Sequence, residues 1–178
     1  METNWPLLPG MIEPETASLV GQFIARWSFA EMTLLMPLAV AMNSSNQGVL
    51  ASILSSANST EGKIKLVTAA VENMISHLDR KEPIKKALNK LNKLCEERNA
   101  ICHHTWAFDH TSMQSKTIDY RKPIGDSKRI THRTDDDIRK LCNRTVLAAK
   151  EICIATKSTW ITNENVQMLL LPDTEPPS

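Results

Sequence analysis

An arginine and a histidine five residues apart near the middle of the chain have side chains suited to phosphodiester chemistry. The segment from Arg98 to His103 reads Arg-Asn-Ala-Ile-Cys-His. The guanidinium of Arg98 is a permanent cation that can bind a phosphate, and the imidazole of His103 can accept or donate a proton near neutral pH. Asn99, next to the arginine, makes the pattern more specific than the bare pair. These three residues favour RNA as the first substrate to test.

The helix that carries this segment is predicted to begin near Glu82, with Pro83 in its first turn. Its apolar stripe contains Ile84, Ala87, Leu88, Leu91, Leu94, Cys95, Ile101 and Cys102. Near the C-terminal end, the centre of that stripe falls on Arg98. Because burying an unpaired charge is costly, we expect Arg98 to reach solvent, to bind an acid or to line a cavity.

Asn99 and His103 lie one helical turn apart, on a polar stripe with Asn92 and Glu96. Arg98 and His103 are separated by about 140° around the helix axis. They can therefore converge only if Arg98 bends round, if the helix loosens near its end, or if a second chain brings them together.

Two further residues are candidates for supporting roles. Glu31 interrupts the apolar stripe of the first helix, formed by Val20, Ile24, Trp27, Leu34 and Leu38. A carboxylate there could orient the guanidinium of Arg98 and balance its charge. His104 follows His103 and could share in proton transfer, although adjacent helical residues point about 100° apart.

The remaining pattern predicts an all-α, up-and-down bundle of about four to five helices. Residues 1–13 form an N-terminal lead, residues 14–157 one helical domain and residues 158–178 a partly disordered tail. The first helix runs from about Glu15 to Met42 with a kink at Pro37, and Thr60 is the possible cap of the second. Residues 105–133 lose the helical period and predict a long loop or irregular β-hairpin. A capping box of Thr134 and Asp137 begins the last helix.

The stripes of the second and last helices predict their buried residues. The second carries Ile64, Val67, Val71, Ile75 and Leu78, and the last carries Ile138, Leu141, Thr145, Ala148 and Ile152.

The composition supplies no general attraction for nucleic acid. The chain has 178 residues, 42% of them hydrophobic, and a formal net charge of +1. This length suits one compact domain, and any RNA contact must come from local cations. Basic residues cluster in the predicted hairpin: Arg121, Lys122, Lys128, Arg129 and Arg133. They could follow an RNA backbone, and a solvated loop is the alternative.

The four cysteines, Cys95, Cys102, Cys142 and Cys153, are predicted to be reduced core thiols in a cytoplasmic protein. A zinc site of Cys95, Cys102, His103 and Cys142 is an alternative, but their stripe positions suit core packing better, so neither metal nor cofactor is expected. The N-terminus lacks the pattern of a signal peptide. The apolar stretch from Trp27 to Met42 is too short to span a bilayer, so no membrane association is expected.

The motif of Arg98, Asn99 and His103 resembles that of the HEPN family, small helical bundles with an Arg, a polar residue, three variable residues and a His near a helix end. The resemblance implies a homodimer whose motif helices face a shared cleft, acting as a metal-independent endoribonuclease. It further implies that His103 transfers protons, Arg98 stabilises phosphoryl oxygens and Asn99 orients the site. Toxin, antiphage or RNA-processing roles are typical, with an antitoxin or regulatory partner. Some members are non-catalytic binding or dimerisation modules, which is the main alternative.

Overall fold

The computed structural model describes residues 7–158 and 163–171, which are mostly helical and include a small β-sheet. The helices are α1 (Pro14–Met32), α2 (Leu35–Met42), α3 (Gln47–Ser55), α4 (Thr60–Met74), α5 (Leu78–Lys93), α6 (Cys95–His103), α7 (Asp135–Ala155) and α8 (Asn163–Leu169). The strands are β1 (Leu7–Pro9), β2 (Thr105–Asp109), β3 (Gln114–Ile118) and β4 (Ile130–His132). The all-α prediction is therefore correct only in part, and the number of helices is higher than expected.

The chain divides into two compact units. The sheet unit contains the described residues of 7–24 and 96–141, and the helical unit contains 25–95 and the described residues of 142–171. The sheet unit holds all four strands, almost all of α6 and the first parts of α1 and α7. The helical unit holds α2 to α5, α8 and the remaining parts of α1 and α7.

The four strands form one antiparallel sheet in the order β1-β2-β3-β4. Leu8 pairs with Phe108 in β2, and Lys116 in β3 pairs with His132 in β4. The predicted hairpin of residues 105–133 is thus only part of a sheet, because the predicted N-terminal lead supplies β1. Gly10 ends β1 with a φ of +82°, a conformation that glycine adopts without strain, and its N–H donates to the carbonyl of Trp106 at 2.8 Å.

Two side-chain hydrogen bonds within the sheet unit link β3 to the residue before α1 and link α1 to α7. The Ser115 hydroxyl donates to Glu13 at 3.2 Å, and the Thr16 hydroxyl donates to Asp135 at 2.7 Å.

The start of α7 confirms the predicted capping box. The Thr134 N–H donates to the Asp137 carboxylate, and the Asp137 N–H donates to the Thr134 hydroxyl, both at 3.0 Å. All five residues predicted to face inward on this helix are buried: Ile138, Leu141, Thr145, Ala148 and Ile152.

In the helical unit, α4 packs against α2, α3 and α5. Ile64, Val67, Val71 and Ile75 are buried as predicted, but Leu78 is 68% exposed and starts α5 instead. The cap of α4 is Ser59 rather than Thr60, because the Ser59 hydroxyl accepts the Gly62 N–H at 3.0 Å.

The sequence analysis missed α3. Its N-cap is Asn46, whose side chain accepts the Val49 N–H at 3.2 Å. The predicted first helix ends near Met42 and the second begins near Thr60, so no helix is expected between them.

Two predicted long helices are interrupted. The break between α1 and α2 falls at Thr33 and Leu34 rather than at Pro37, because a proline ring clashes with the carbonyl four residues earlier, here that of Thr33. The predicted motif helix begins at Leu78, four residues before the expected start, and is divided at Leu94 into α5 and α6. Pro83 therefore lies inside α5 and not in its first turn.

Part of the predicted disordered tail is ordered. Helix α8 buries Val166, the Arg26 guanidinium donates to the Leu169 carbonyl at 2.7 Å, and the Asn143 side chain bonds the backbone of Leu171 twice. The last residues of the predicted tail, Glu175 to Ser178, lie outside the described residues.

Helices α1 and α2 together form an apolar stretch of 29 residues, Pro14–Met42, which is long enough to cross a membrane by length and composition. The expectation of a stretch too short to span a bilayer concerns Trp27 to Met42, and the candidate stretch is longer because it begins at Pro14. However, Phe23, Trp27, Leu34 and Leu38 are at most 3% exposed within the protein itself. Because a core helix passes the same test, this stretch is weak evidence for a membrane span.

Candidate functional site

The three motif residues come together within a single chain. The Nη1 atom of Arg98 lies 2.7 Å from Nε2 of His103 and donates to Oδ1 of Asn99 at 3.0 Å. The long arginine side chain bends round to reach the end of its own helix, which overcomes the 140° separation expected from ideal helix geometry. A second chain is not needed to bring these groups into contact.

The contact between Arg98 and His103 defines which imidazole nitrogen carries the proton in the neutral ring. A guanidinium can only donate hydrogen bonds, so Nε2 of His103 must accept and must hold a lone pair. In this arrangement the Nε2 lone pair of the neutral ring faces the Arg98 guanidinium, which covers it. A group that competes for the guanidinium would expose that lone pair.

The local fold presents these side chains at the surface. Ala100 and Ile101 are 8% and 2% exposed and anchor α6 in the core, whereas Asn99 and His103 are exposed and Arg98 is half-buried. Arg98 is therefore partly accessible to solvent and has Asn99 and His103 as polar partners.

A side chain of the following strand, β2, stabilises the C-terminal end of α6. The indole N–H of Trp106 donates to the carbonyl of Ile101 at 3.0 Å, which satisfies a carbonyl that the end of α6 would otherwise leave unpaired.

His104 belongs to a second polar cluster, which we call the Asp119 cluster and define as His104, Asp119 and Arg121. The Asp119 carboxylate accepts hydrogen bonds from Arg121 Nε at 2.8 Å and from Nη2 at 3.1 Å. Arg121 Nη2 also lies 3.2 Å from His104 Nε2, and Asp119 Oδ2 lies 3.5 Å from the same atom. The sequence analysis missed Asp119, and an acid two residues before Arg121 was its only available signal.

The surroundings of His104 and Asp119 lower the pKa of both residues. Burial lowers the pKa of His104, the Asp119 charge opposes this, and the charges of Arg121, Lys122 and Arg133 lower it further. The hydrogen bond from Arg121 is the main cause that lowers the pKa of Asp119 to about 2. Asp119 is therefore ionised and His104 is held towards its neutral form near neutral pH.

Glu31 lies in the helical unit, where its carboxylate has several partners. Lys63 Nζ forms an ion pair with Oε2 at 2.9 Å, the Trp27 indole donates to Oε1 at 3.1 Å, and the Thr60 hydroxyl donates to Oε1 as well. Burial raises the pKa of Glu31, but the hydrogen bonds from Thr60, Lys63 and Trp27 and the charge of Lys63 outweigh it and lower the pKa. Lys63 thus balances this carboxylate charge, and pairing between Glu31 and Arg98 stays a prediction.

The other basic residues of the predicted RNA-binding group differ in how they are held. Lys122 Nζ donates to the carbonyl of Lys128 at 3.3 Å, and the guanidinium of Arg129 lies 5.6 Å from the centre of the Tyr120 ring. Among the described residues, Arg133 Nε is buried without a hydrogen-bond partner. Among the described residues, Arg121 is the member of this group that donates two side-chain hydrogen bonds to a carboxylate.

An apolar cavity of about 390 Å³ lies elsewhere in the sheet unit. Its lining includes Leu7, Ile118, Tyr120, Ile124 and Ile130 but none of the three motif residues. Asp126, Ser127 and Arg129 also line it.

Among the described residues, no three His, Cys, Asp or Glu side chains come together in a group that could hold a metal ion. Cys95, Cys142 and Cys153 are buried, and Cys102 is half-buried. Burial raises the pKa of the Cys153 thiol to about 11, so this thiol is protonated.

Comparison with protein-family models, with curated proteins and with solved structures finds no match for this chain. The functional argument therefore rests on the residues and their geometry.

Proposed function

We propose that this chain is a metal-independent endoribonuclease of the HEPN type, with Arg98, Asn99 and His103 as its catalytic residues. The single observation that carries this proposal is the contact of Arg98 Nη1 with both His103 Nε2 and Asn99 on an exposed surface. Such a cluster offers a cation for the phosphate and a base for proton transfer, and RNA cleavage uses both groups.

The reaction follows from these groups. The 2′-hydroxyl loses its proton to Nε2 of His103 as its oxygen attacks the adjacent phosphorus. The bond from phosphorus to the 5′-oxygen breaks, and that oxygen takes up a proton from a protonated His103 of a second copy of the chain. The products are a 2′,3′-cyclic phosphate and a 5′-hydroxyl, and no oxidant or reductant is consumed.

Arrival of the substrate explains how the base becomes available. In the resting arrangement Arg98 donates to the nitrogen that must accept the proton. A phosphate is a stronger acceptor than a neutral imidazole and binds guanidinium with charge-assisted hydrogen bonds. The phosphate therefore draws Arg98 away, exposes Nε2 and places the developing phosphoryl charge against the guanidinium. Asn99 stays beside Arg98 and limits where it can move.

A homodimer completes this proposal, because leaving-group protonation requires a second proton-transfer group. A second copy of His103, facing the first across a shared cleft, supplies it. The fold that we propose is the family's up-and-down helical bundle, with the sheet as an insertion. A cytoplasmic location, a toxin or antiphage role and an antitoxin or regulatory partner belong to the same proposal.

RNA cleavage in the presence of a chelator tests this function. The wild type is expected to cleave, whereas His103→Ala and Arg98→Ala are each expected to lose about 10²-fold or more in rate. Lys86→Gln, which removes an exposed charge in the helical unit, is the control. If the wild type and both variants are equally inert on several RNAs, the nuclease proposal is wrong and the non-catalytic binding module becomes the better description.

A further inference from the structure

Arg121 has the geometry of a preset anion-binding group. Its Nε and Nη2 each donate a hydrogen bond to one oxygen of the Asp119 carboxylate. The Asp119 side chain is only 6% exposed, whereas the Arg121 side chain is 77% exposed. Among the described residues, Nη1 of Arg121 donates to no acceptor, so its two N–H groups are available to a ligand. Because Asp119 fixes one edge of the guanidinium, the opposite edge loses little freedom when it binds.

The surroundings of Arg121 contain more donors than acceptors. Arg121 Nη2 donates to His104 Nε2, which places the proton of the neutral ring on Nδ1. That Nδ1 is buried and has no hydrogen-bond partner among the described residues, and the same is true of Nε of Arg133. Lys122 and Arg133 also act on His104 through their charges. With Asp119 as the one acid of the cluster, the local balance favours an anionic ligand.

The position along the chain links this cluster to the motif. His104 directly follows His103, so its contact with Arg121 Nη2 brings Arg121 to the same end of α6.

We infer that Arg121, positioned by Asp119, binds an RNA phosphate next to the one that is cleaved. This inference rests on the proposed function, since it assigns a second phosphate subsite to the same active site. Arg121 is the binding residue and Asp119 is a positioning residue that acts through it. The consequence is a preference for oligonucleotides over dinucleotides, because a dinucleotide has only the phosphate that reacts.

The test separates binding from cleavage. Binding is measured by fluorescence anisotropy with a 2′-O-methyl octanucleotide, which cannot be cleaved by 2′-hydroxyl attack. Arg121→Gln is expected to weaken binding roughly tenfold and to reduce the slope of log K against log salt by about 0.7, the value for one single-strand phosphate contact. Lys86→Gln, which removes one exposed charge in the helical unit, is expected to bind as the wild type does.

Cleavage of a dinucleotide and of an octanucleotide provides the second readout. Arg121→Gln is expected to raise KM for the octanucleotide, so that the ratio of kcat/KM for the octanucleotide to kcat/KM for the dinucleotide falls roughly tenfold. Asp119→Asn is expected to lower the same ratio to a smaller extent. Since Arg121 is exposed, its variant also keeps the test decisive if Asp119→Asn fails to fold.

The two proposals fail in different ways. If Arg121→Gln binds the octanucleotide as Lys86→Gln does, or if the wild type does not bind it, the inference is wrong whatever the enzyme cleaves. If the wild type binds through Arg121 but cleaves nothing, the nuclease proposal fails, and only phosphate binding by Arg121, with no place beside a cleaved phosphate, remains.

Discussion

Replacing Glu31 by glutamine separates a structural role for this acid from a role in the active site. In the wild type its carboxylate is paired with Lys63 and accepts hydrogen bonds from Thr60 and Trp27, and its side chain is 21% exposed. Glutamine keeps one carbonyl oxygen for the Thr60 and Trp27 donors. Its amide nitrogen, however, faces the ammonium of Lys63, so the ion pair is replaced by two opposed donors.

The size of the effect follows from those contacts. A hydrogen bond to a charged group contributes about 1.5 to 3 kcal/mol, and we take about 2 kcal/mol because the pair is partly solvated. For a chain of this length that corresponds to a fall in Tm of about 4 to 8 °C. The matched control is Glu151→Gln, because Glu151 forms an exposed ion pair with Lys90 in which the side chains are 48% and 40% exposed. Such a pair contributes only about 0.5 kcal/mol.

Thermal unfolding followed by circular dichroism measures both variants. The pKa of Glu31 is lowered in the folded state, so its contribution is present above its ordinary pKa of 4.5 and is lost as the pH falls through the folded value. The difference between the wild type and Glu31→Gln should therefore shrink in acid. Equal Tm values for Glu31→Gln and Glu151→Gln at neutral pH would refute the reasoning. Folded Glu31→Gln is expected to cleave RNA at the wild-type rate, and a loss of cleavage would make Glu31 part of the site.

Two further predictions concern the sheet unit. Thr134→Ala removes the hydroxyl of the capping box and should lower the free energy of unfolding by about 1 kcal/mol. Urea unfolding measures this loss, with Thr111→Ala, at an exposed threonine, as the control. An equal loss in both variants would contradict the capping role. Because the pKa of His104 is lowered in the folded state, its unfolded form binds a proton first, and stability should fall as the pH drops from about 6.5 towards the folded value. His104→Asn should flatten the free energy of unfolding over that range, and an unchanged pH profile would show that His104 titrates normally.

Local signals predicted the parts of this fold that depend on neighbouring residues. The Thr134 and Asp137 capping box and the buried face of α7 follow from spacing alone, since both involve residues within a few turns of one another. The missed α3 shows the limit of such signals. Its short sequence of small residues has a weak apolar period, although Asn46 supplies a regular N-cap.

Elements that depend on distant contacts were placed wrongly or not at all. Strand β1 consists of Leu7 to Pro9, too short to be recognised, and it exists because β2 offers an edge about a hundred residues later in the chain. Helix α8 likewise falls in a segment read as tail, but Arg26 and Asn143 bond the chain at its end.

The candidate site likewise combines local features, which the sequence predicts, with contacts between distant residues, which it does not. The sequence by itself determined the three motif residues and their place near a helix end, because residue type and helical spacing are local properties. Only the tertiary structure decided that Arg98 bends onto His103 within one chain and that Lys63 balances Glu31. It also decided that Asp119 fixes Arg121 beside His104. These facts depend on the reach of long side chains and on the strand pairing that returns residues 119–121 to the end of α6, and no local pattern encodes either.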